Sequence, residues 1–158
     1  MKKKTIIIGV ILAIVDQIIK FIVVQKIVLN ENIKIIKNFF YVAKVYNQGA
    51  SWSIMQGQRI LLIILGILFL FVLFKFMDDF KKDNKINIIS FSLIIGGLLG
   101  NLIDRIFRGY VIDYLNFYIF KYDFPVFNFA DCLIVIGVII LIIRLLMGDG
   151  NENKSRSK

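Results

Sequence analysis

Four long apolar runs alternate with shorter polar stretches along this chain: residues 5–24, 60–77, 86–105 and 128–147. Each is close to the roughly twenty residues that carry a helix across ~30 Å of hydrocarbon. Each therefore predicts one transmembrane helix. The first run follows the basic Met1–Lys4 segment. A signal peptide would want a shorter apolar core and a small-residue cleavage site. This run has no such site and carries Asp16 and Lys20. Four residues apart with the acid first, the two share a helix face and can pair. Such a pair either orients the helix against its neighbours or belongs to a site.

Residues 25–58 are mixed and more polar. Within them FFYVAKVY, residues 39–46, is aromatic and β-branched and predicts a strand. It leads into NQGASWS, where an Asn-x-Gly turn has a positive φ open to Gly49 and Trp52 suits a membrane interface. The run 60–77 has no interior charge before Lys75, and packing is its expected job. The charged stretch 78–85 predicts a short loop between antiparallel helices.

The third run holds Gly96 and Gly100, a G-x-x-x-G pair that admits a neighbouring helix closely. Gly97, Asn101, Asp104, Arg105 and Arg108 form an adjacent stripe, small at one end and polar at the other. Two readings follow: a packed helix whose outer end enters a hydrated site, or packing glue with Asp104 and Arg108 paired at the surface. Residues 109–127 are aromatic-rich and contain the chain's one proline, Pro125, which predicts short strands or an interfacial loop. Asp113 stands there between Val111-Ile112 and Tyr114-Leu115. Asp131 opens the fourth run, where an ionised acid meets the helix dipole. The polar tail, 148–158, is expected to be disordered.

Composition strengthens the membrane reading. The 158 residues are 58% hydrophobic, beyond the roughly 45–50% of soluble domains. Mean hydropathy is +0.78. The net charge of +9 sits mainly beside the apolar runs, which fits topology and anionic-lipid signals rather than a nucleic-acid surface. Histidine is absent, which excludes a Ser-His-Asp triad, a Cys-His pair and a histidine metal site. The single cysteine, Cys132, cannot form an intrachain disulfide and is given no role.

Basic residues are densest in the N-terminus, the 78–85 loop and the tail, which places both termini in the cytoplasm. Segments 25–58 and 106–127 are then extracytoplasmic. Asn47, Asp104, Asp113 and Asp131 all fall at or just outside the outer leaflet. Polar groups at such depth are costly and are candidates for function. Two neighbouring carboxylates cannot both ionise easily, so one keeps its proton. The pair supplies a general base for water and a general acid for a leaving amine. Placement on either side of one loop permits Asp113 and Asp131 to meet.

Five segments occur in order: DQIIK (16–20), NQGASW (47–52), GGLLGNLIDR (96–105), GYVIDYL (109–115) and FNFADC (127–132). Together they resemble the boxes of the bacterial lipoprotein signal peptidases, the type II signal peptidases, across the chain from the first span to the fourth. Trp52 stands where Phe is usual and Cys132 where a small hydroxyl residue is common. The resemblance implies one membrane domain: an α-helical integral membrane protein of four transmembrane helices with a small extracytoplasmic antiparallel β-sheet. It implies an aspartic endopeptidase of the cytoplasmic membrane that cleaves diacylglyceryl-modified prolipoproteins just before the lipidated cysteine. Asp113 and Asp131 would be catalytic. Asn47, Gly49, Asn101, Arg105 and Asn128 would line or order the site, and Asp16, Lys20 and Asp104 would support it. No metal or cofactor is expected. The expected partners are the substrate and membrane lipids, with no nucleic acid, and the enzyme is expected to be monomeric. A transporter would want polar residues through the full bilayer depth, and the second span has none. A metal-dependent lipid enzyme would want clustered acids, and these are dispersed. A scaffold leaves the cost of Asp113 and Asp131 unexplained.

Overall fold

The computed structural model describes residues 1–49, 54–80, 84–119 and 122–147. Trp52, the middle of the 78–85 loop and the tail lie outside the described residues. Each apolar run becomes one helix: α1 (Lys2–Lys26), α2 (Arg59–Phe76), α3 (Lys85–Phe107) and α4 (Phe129–Leu146). A single 3-10 turn, Met77–Asp79, extends α2. All four are long and apolar enough to cross a membrane.

Helix α3 is the centre of the bundle, packed along its length by α1 and α4 and more lightly by α2. Its glycines set the spacing. A methyl on Gly96 would lie 2.7 Å from Cβ of Leu12 on α1. One on Gly97 would run into the Ala130 carbonyl of α4, and one on Gly100 would lie 2.5 Å from the Asp16 carboxylate. Small residues thus admit a neighbour on each side of one helix, as membrane packing favours. Away from these seams Met77, Phe80, Phe91, Ile94, Ile95 and Leu141 form an apolar cluster. Helix α2 has no fully buried side chain.

The intervening segments build an antiparallel sheet in the order β1-β2-β3-β4: β1 (Asn32–Ile36), β2 (Phe40–Asn47), β3 (Val111–Ile119) and the two-residue β4 (Tyr122–Asp123). The expected strand at 39–46 is β2. Strand β1 was not expected, because its residues NIKII read as part of a mixed polar stretch.

Two local features aim the sheet at the bundle. First, α3 stops at Gly109, whose φ of 87° suits a helix-ending glycine and whose N–H reaches the Asp104 carbonyl at 3.2 Å. Strand β3 starts two residues later. Its Ile112 and Tyr114 pack on Val23 and Ile27 at the end of α1. Alternation then sends Val111, Asp113 and Leu115 to the opposite face. Second, β2 carries a bulge. Val42 opposes Leu115 while Val45 opposes Asp113, so β2 has one extra residue at Ala43-Lys44. Opposed residues share a face, so Val42 and Asn47 end on the same side despite their odd spacing. The bulge puts Asn47 beside Asp113. Lys44, at the bulge, donates to the Val24 and Ile27 carbonyls at 3.0 and 2.7 Å and closes the end of α1.

Candidate active site

The start of α4 anchors the site. Asn128 caps the helix, accepting from the Asp131 N–H at 3.1 Å, while the Asp131 carboxylate accepts from the Asn128 N–H at 3.0 Å. This reciprocal capping box restricts the Asp131 side chain at the helix N-terminus. The other Asp131 oxygen accepts from Nδ2 of Asn101 on α3 at 2.7 Å. From the sheet, Asp113 accepts from Nδ2 of Asn128 at 2.6 Å and from Nδ2 of Asn47 at 2.9 Å. Asn128 therefore touches both acids. Asn47 also accepts from the Gly49 N–H at 2.9 Å, so the expected Asn-x-Gly turn forms around its side chain.

Among the described residues neither Asp113 nor Asp131 forms an ion pair; amides are their partners. Asp113 is buried, 3% exposed. Burial first, and then the charge of Asp131, push its carboxyl up from 3.8 to about 7, against the opposing hydrogen bonds from Asn47 and Asn128 and the Lys20 charge. Arg105 lines the same space but binds carbonyls: Gly49 at 3.0 Å and, more weakly, Asn101 at 3.4 Å. It ties the turn after β2 to α3.

Asp113 and Asp131 face a cavity of about 730 Å³ between α2, α3, α4 and the segment before α4. Leu62, Leu65 and Phe69 of α2 and Leu98 and Leu102 of α3 make much of its apolar wall. The expectation that α2 only packs is thus corrected. It is one side of the cavity, which an uncharged span could not announce. Arg59, at its start, donates to the Arg105 and Ile106 carbonyls at 2.8 and 2.7 Å and fastens it to the end of α3. Arg59 was not singled out from the sequence; nor was Tyr114, whose hydroxyl accepts from the Phe129 N–H at 3.1 Å and whose ionisation burial makes harder. The Asn128…Asp131 capping spacing was a readable signal.

Asp16, Lys20 and Asp104 form a second cluster. Lys20 Nζ lies 2.8 Å from both Asp16 and Asp104, and all three side chains are fully buried. Asp16 also accepts from the Ala130 N–H at 3.1 Å, and Asp104 from the Ile112 N–H at 3.2 Å. Arg108 pairs with Asp104 and donates to Gln17 at 2.7 Å. The alternative of Asp104 and Arg108 paired at the surface is corrected: Asp104 is wholly buried and shared between two cations. Among the described residues no three His, Cys, Asp or Glu side chains converge as a metal site.

Helices and sheet together define a multi-pass membrane protein with an acid pair, one member buried and one half-buried, at one end of its bundle. Comparison with known proteins gives the family. The model for signal peptidase (SPase) II matches residues 8–147. The chain belongs to this family of aspartic peptidases and is a membrane hydrolase acting in the removal of lipoprotein signal peptides. It is also similar to two solved structures of a bacterial membrane enzyme obtained by the in meso method. The one at 2.3 Å resolution is 37% identical with a TM-score of 0.81, over 94% of this chain and 90% of that one. The one at 1.9 Å is 37% identical with a TM-score of 0.77, over 90% of this chain and 92% of that one.

Proposed function

We propose that Asp113 and Asp131 are the catalytic pair of an endopeptidase that cleaves diacylglyceryl-modified prolipoproteins just before the lipidated cysteine. The observation that carries this reading is their shared setting: both acids bind Asn128, among the described residues neither forms an ion pair, and both line one largely apolar cavity. Asp113, held up to about 7, keeps the proton and Asp131 acts as base. Asp131 takes a proton from water as the water oxygen adds to the scissile carbonyl, and Asp113 protonates the carbonyl oxygen. On collapse the Asp131 proton passes to the leaving amine and a hydroxyl proton returns to Asp113. Asn47, Asn101 and Asn128 hold the acids. Gly49 and Arg105 order the cavity mouth, while Asp16, Lys20 and Asp104 support the frame.

The dense basic residues of the N-terminus, the 78–85 loop and the tail favour cytoplasmic termini, and with them a site and sheet at the outer leaflet. A diacylated substrate held in that leaflet would present its scissile bond there, with acyl chains left in lipid. A single copy holds every residue named, which supports a monomeric enzyme.

The test is a gel-shift assay with purified lipid-modified prolipoprotein and folded wild type, Asp113→Asn and Asp131→Asn enzymes. Loss of cleavage in both variants is expected. Full cleavage by either would remove that acid from the mechanism.

A further inference from the structure

Lys20 makes three contacts, one for each of its ammonium hydrogens. Two go to the acids Asp16 and Asp104, each at 2.8 Å. The third goes to Oδ1 of Asn101 at 3.0 Å. Asp16 and Asp104 are already balanced by Lys20 and Arg108. The third contact, to a neutral amide, adds nothing to that balance. Its consequence lies on the other end of the amide.

A carboxamide has a donor end and an acceptor end, and an ammonium can only donate. Lys20 therefore requires the Asn101 oxygen to face it. The nitrogen must then face Asp131, which it meets at 2.7 Å. The same oxygen accepts from Nδ2 of Asn128 at 3.2 Å, and that nitrogen also reaches Asp113. Reversing Asn101 would set donor against donor at Lys20 and at Asn128, and acceptor against acceptor at Asp131. Asn128 is held the same way round by its capping bond to the Asp131 N–H.

We infer that Lys20 is a positioning residue for the acid pair: its ammonium sets the direction of the Asn101 carboxamide, whose nitrogen holds Asp131 and whose oxygen holds the Asn128 nitrogen that reaches Asp113. It is fully buried and absent from the cavity wall, so it acts without touching substrate. The inference rests on the proposed catalytic role of Asp113 and Asp131.

The test separates the donor from the charge. In the double variants Asp16→Asn/Lys20→Gln and Asp16→Asn/Lys20→Met one acid and one cation are lost together, leaving Asp104 balanced by Arg108. Only the glutamine retains an N–H for Asn101. With prolipoprotein substrate and rates per folded molecule, the Met variant is expected to lose about 10²-fold in kcat with little change in KM, the size of effect a small misplacement produces. The Gln variant is expected to recover at least about tenfold of it. Wild-type kcat in the Met variant, or equal losses in both at equal thermal stability, overturns the inference. Should the Met variant not fold, the side-chain amide NMR signals of Asn101 and Asn128 in the wild type decide. One protected set is expected, and exchange between two orientations overturns it. Failure of the acid-pair reading shows separately, as cleavage by Asp113→Asn or Asp131→Asn with a single protected amide set.

Discussion

Two acid clusters lie on either side of Asn101, and they are built on opposite plans. Asp16 and Asp104 share a buried lysine, and Asp104 also holds Arg108. Asp113 and Asp131, one buried and one at a helix start, are held among the described residues by amide donors and a backbone N–H group. The first plan offsets part of the cost of burying carboxylates with paired cations. The second leaves that cost in place. Desolvation then raises one member of the pair far enough for acid and base to coexist near neutral pH. The contrast teaches where to seek chemistry in a membrane bundle: at the acids held by amides rather than by a direct ion pair.

The sharpest way to break this contrast is to exchange acid for amide in both clusters. Asp113→Asn and Asp131→Asn should each lower turnover by about 10²–10⁴-fold, the range for loss of a general acid or base. Thermal stability should fall by about 1–3 kcal/mol, less than for loss of a buried ion pair, because the new NH2 meets an N–H donor where an oxygen accepted. Asp16→Asn should do the reverse. It removes one of the two acids that Lys20 contacts in a fully buried setting, and a loss of about 3 kcal/mol is expected. The molecules that remain folded should still cleave. A thermal-shift series beside the gel-shift assay reads both effects, and the same ranking in both would erase the distinction.

Acidity gives a third comparison. Asp113 is faced by Asp131 from α4, by Lys20 from α1, and by the amides of Asn47 and Asn128, with Arg105 of α3 lining the same cavity. If it must be protonated to act, kcat/KM should fall as pH rises through about 7. The stability sign follows from linkage. Between 3.8 and about 7 the folded Asp113 holds a proton that the unfolded chain has released. Stability should therefore decline as pH rises across that window and level off above it. Asp113→Asn should remove this component of the slope. A slope unchanged in that variant would count against the assignment.

The legible part of this protein was what one dimension encodes. The four spans were readable because hydrocarbon demands about twenty apolar residues. The acids stood out because they interrupt or border apolar runs. Less legible was what depends on register and on crossing helices. Period-two reading of FYVAKVYN puts Val42 and Asn47 on opposite faces, and only the bulge at Ala43-Lys44 reverses this. Asp104 could also be read, less favoured, as a surface partner of Arg108, because nothing along α3 reveals that Lys20 of α1 reaches it. Strand β1 escaped notice because all five of its residues are exposed, leaving no buried-face alternation to detect.

Helix α2 extends the comparison from side chains to helices, with a smaller expected effect. Helices α1 and α4 meet α3 at glycine seams, whereas α2 buries no side chain fully and borders the cavity. Its clearest polar tie to α3 is Arg59, which satisfies two carbonyls at the α3 C-terminus. These bonds are exposed, so Arg59→Ala should cost only about 1 kcal/mol. The effect should be local. Amide hydrogen exchange should quicken in the first turns of α2 and the last turn of α3, while α1 and α4 remain as protected as before. Equal loosening of all four helices would mean that α2 is as integral to the core as its neighbours. The division between a fixed three-helix frame and a more loosely held cavity wall would then be lost.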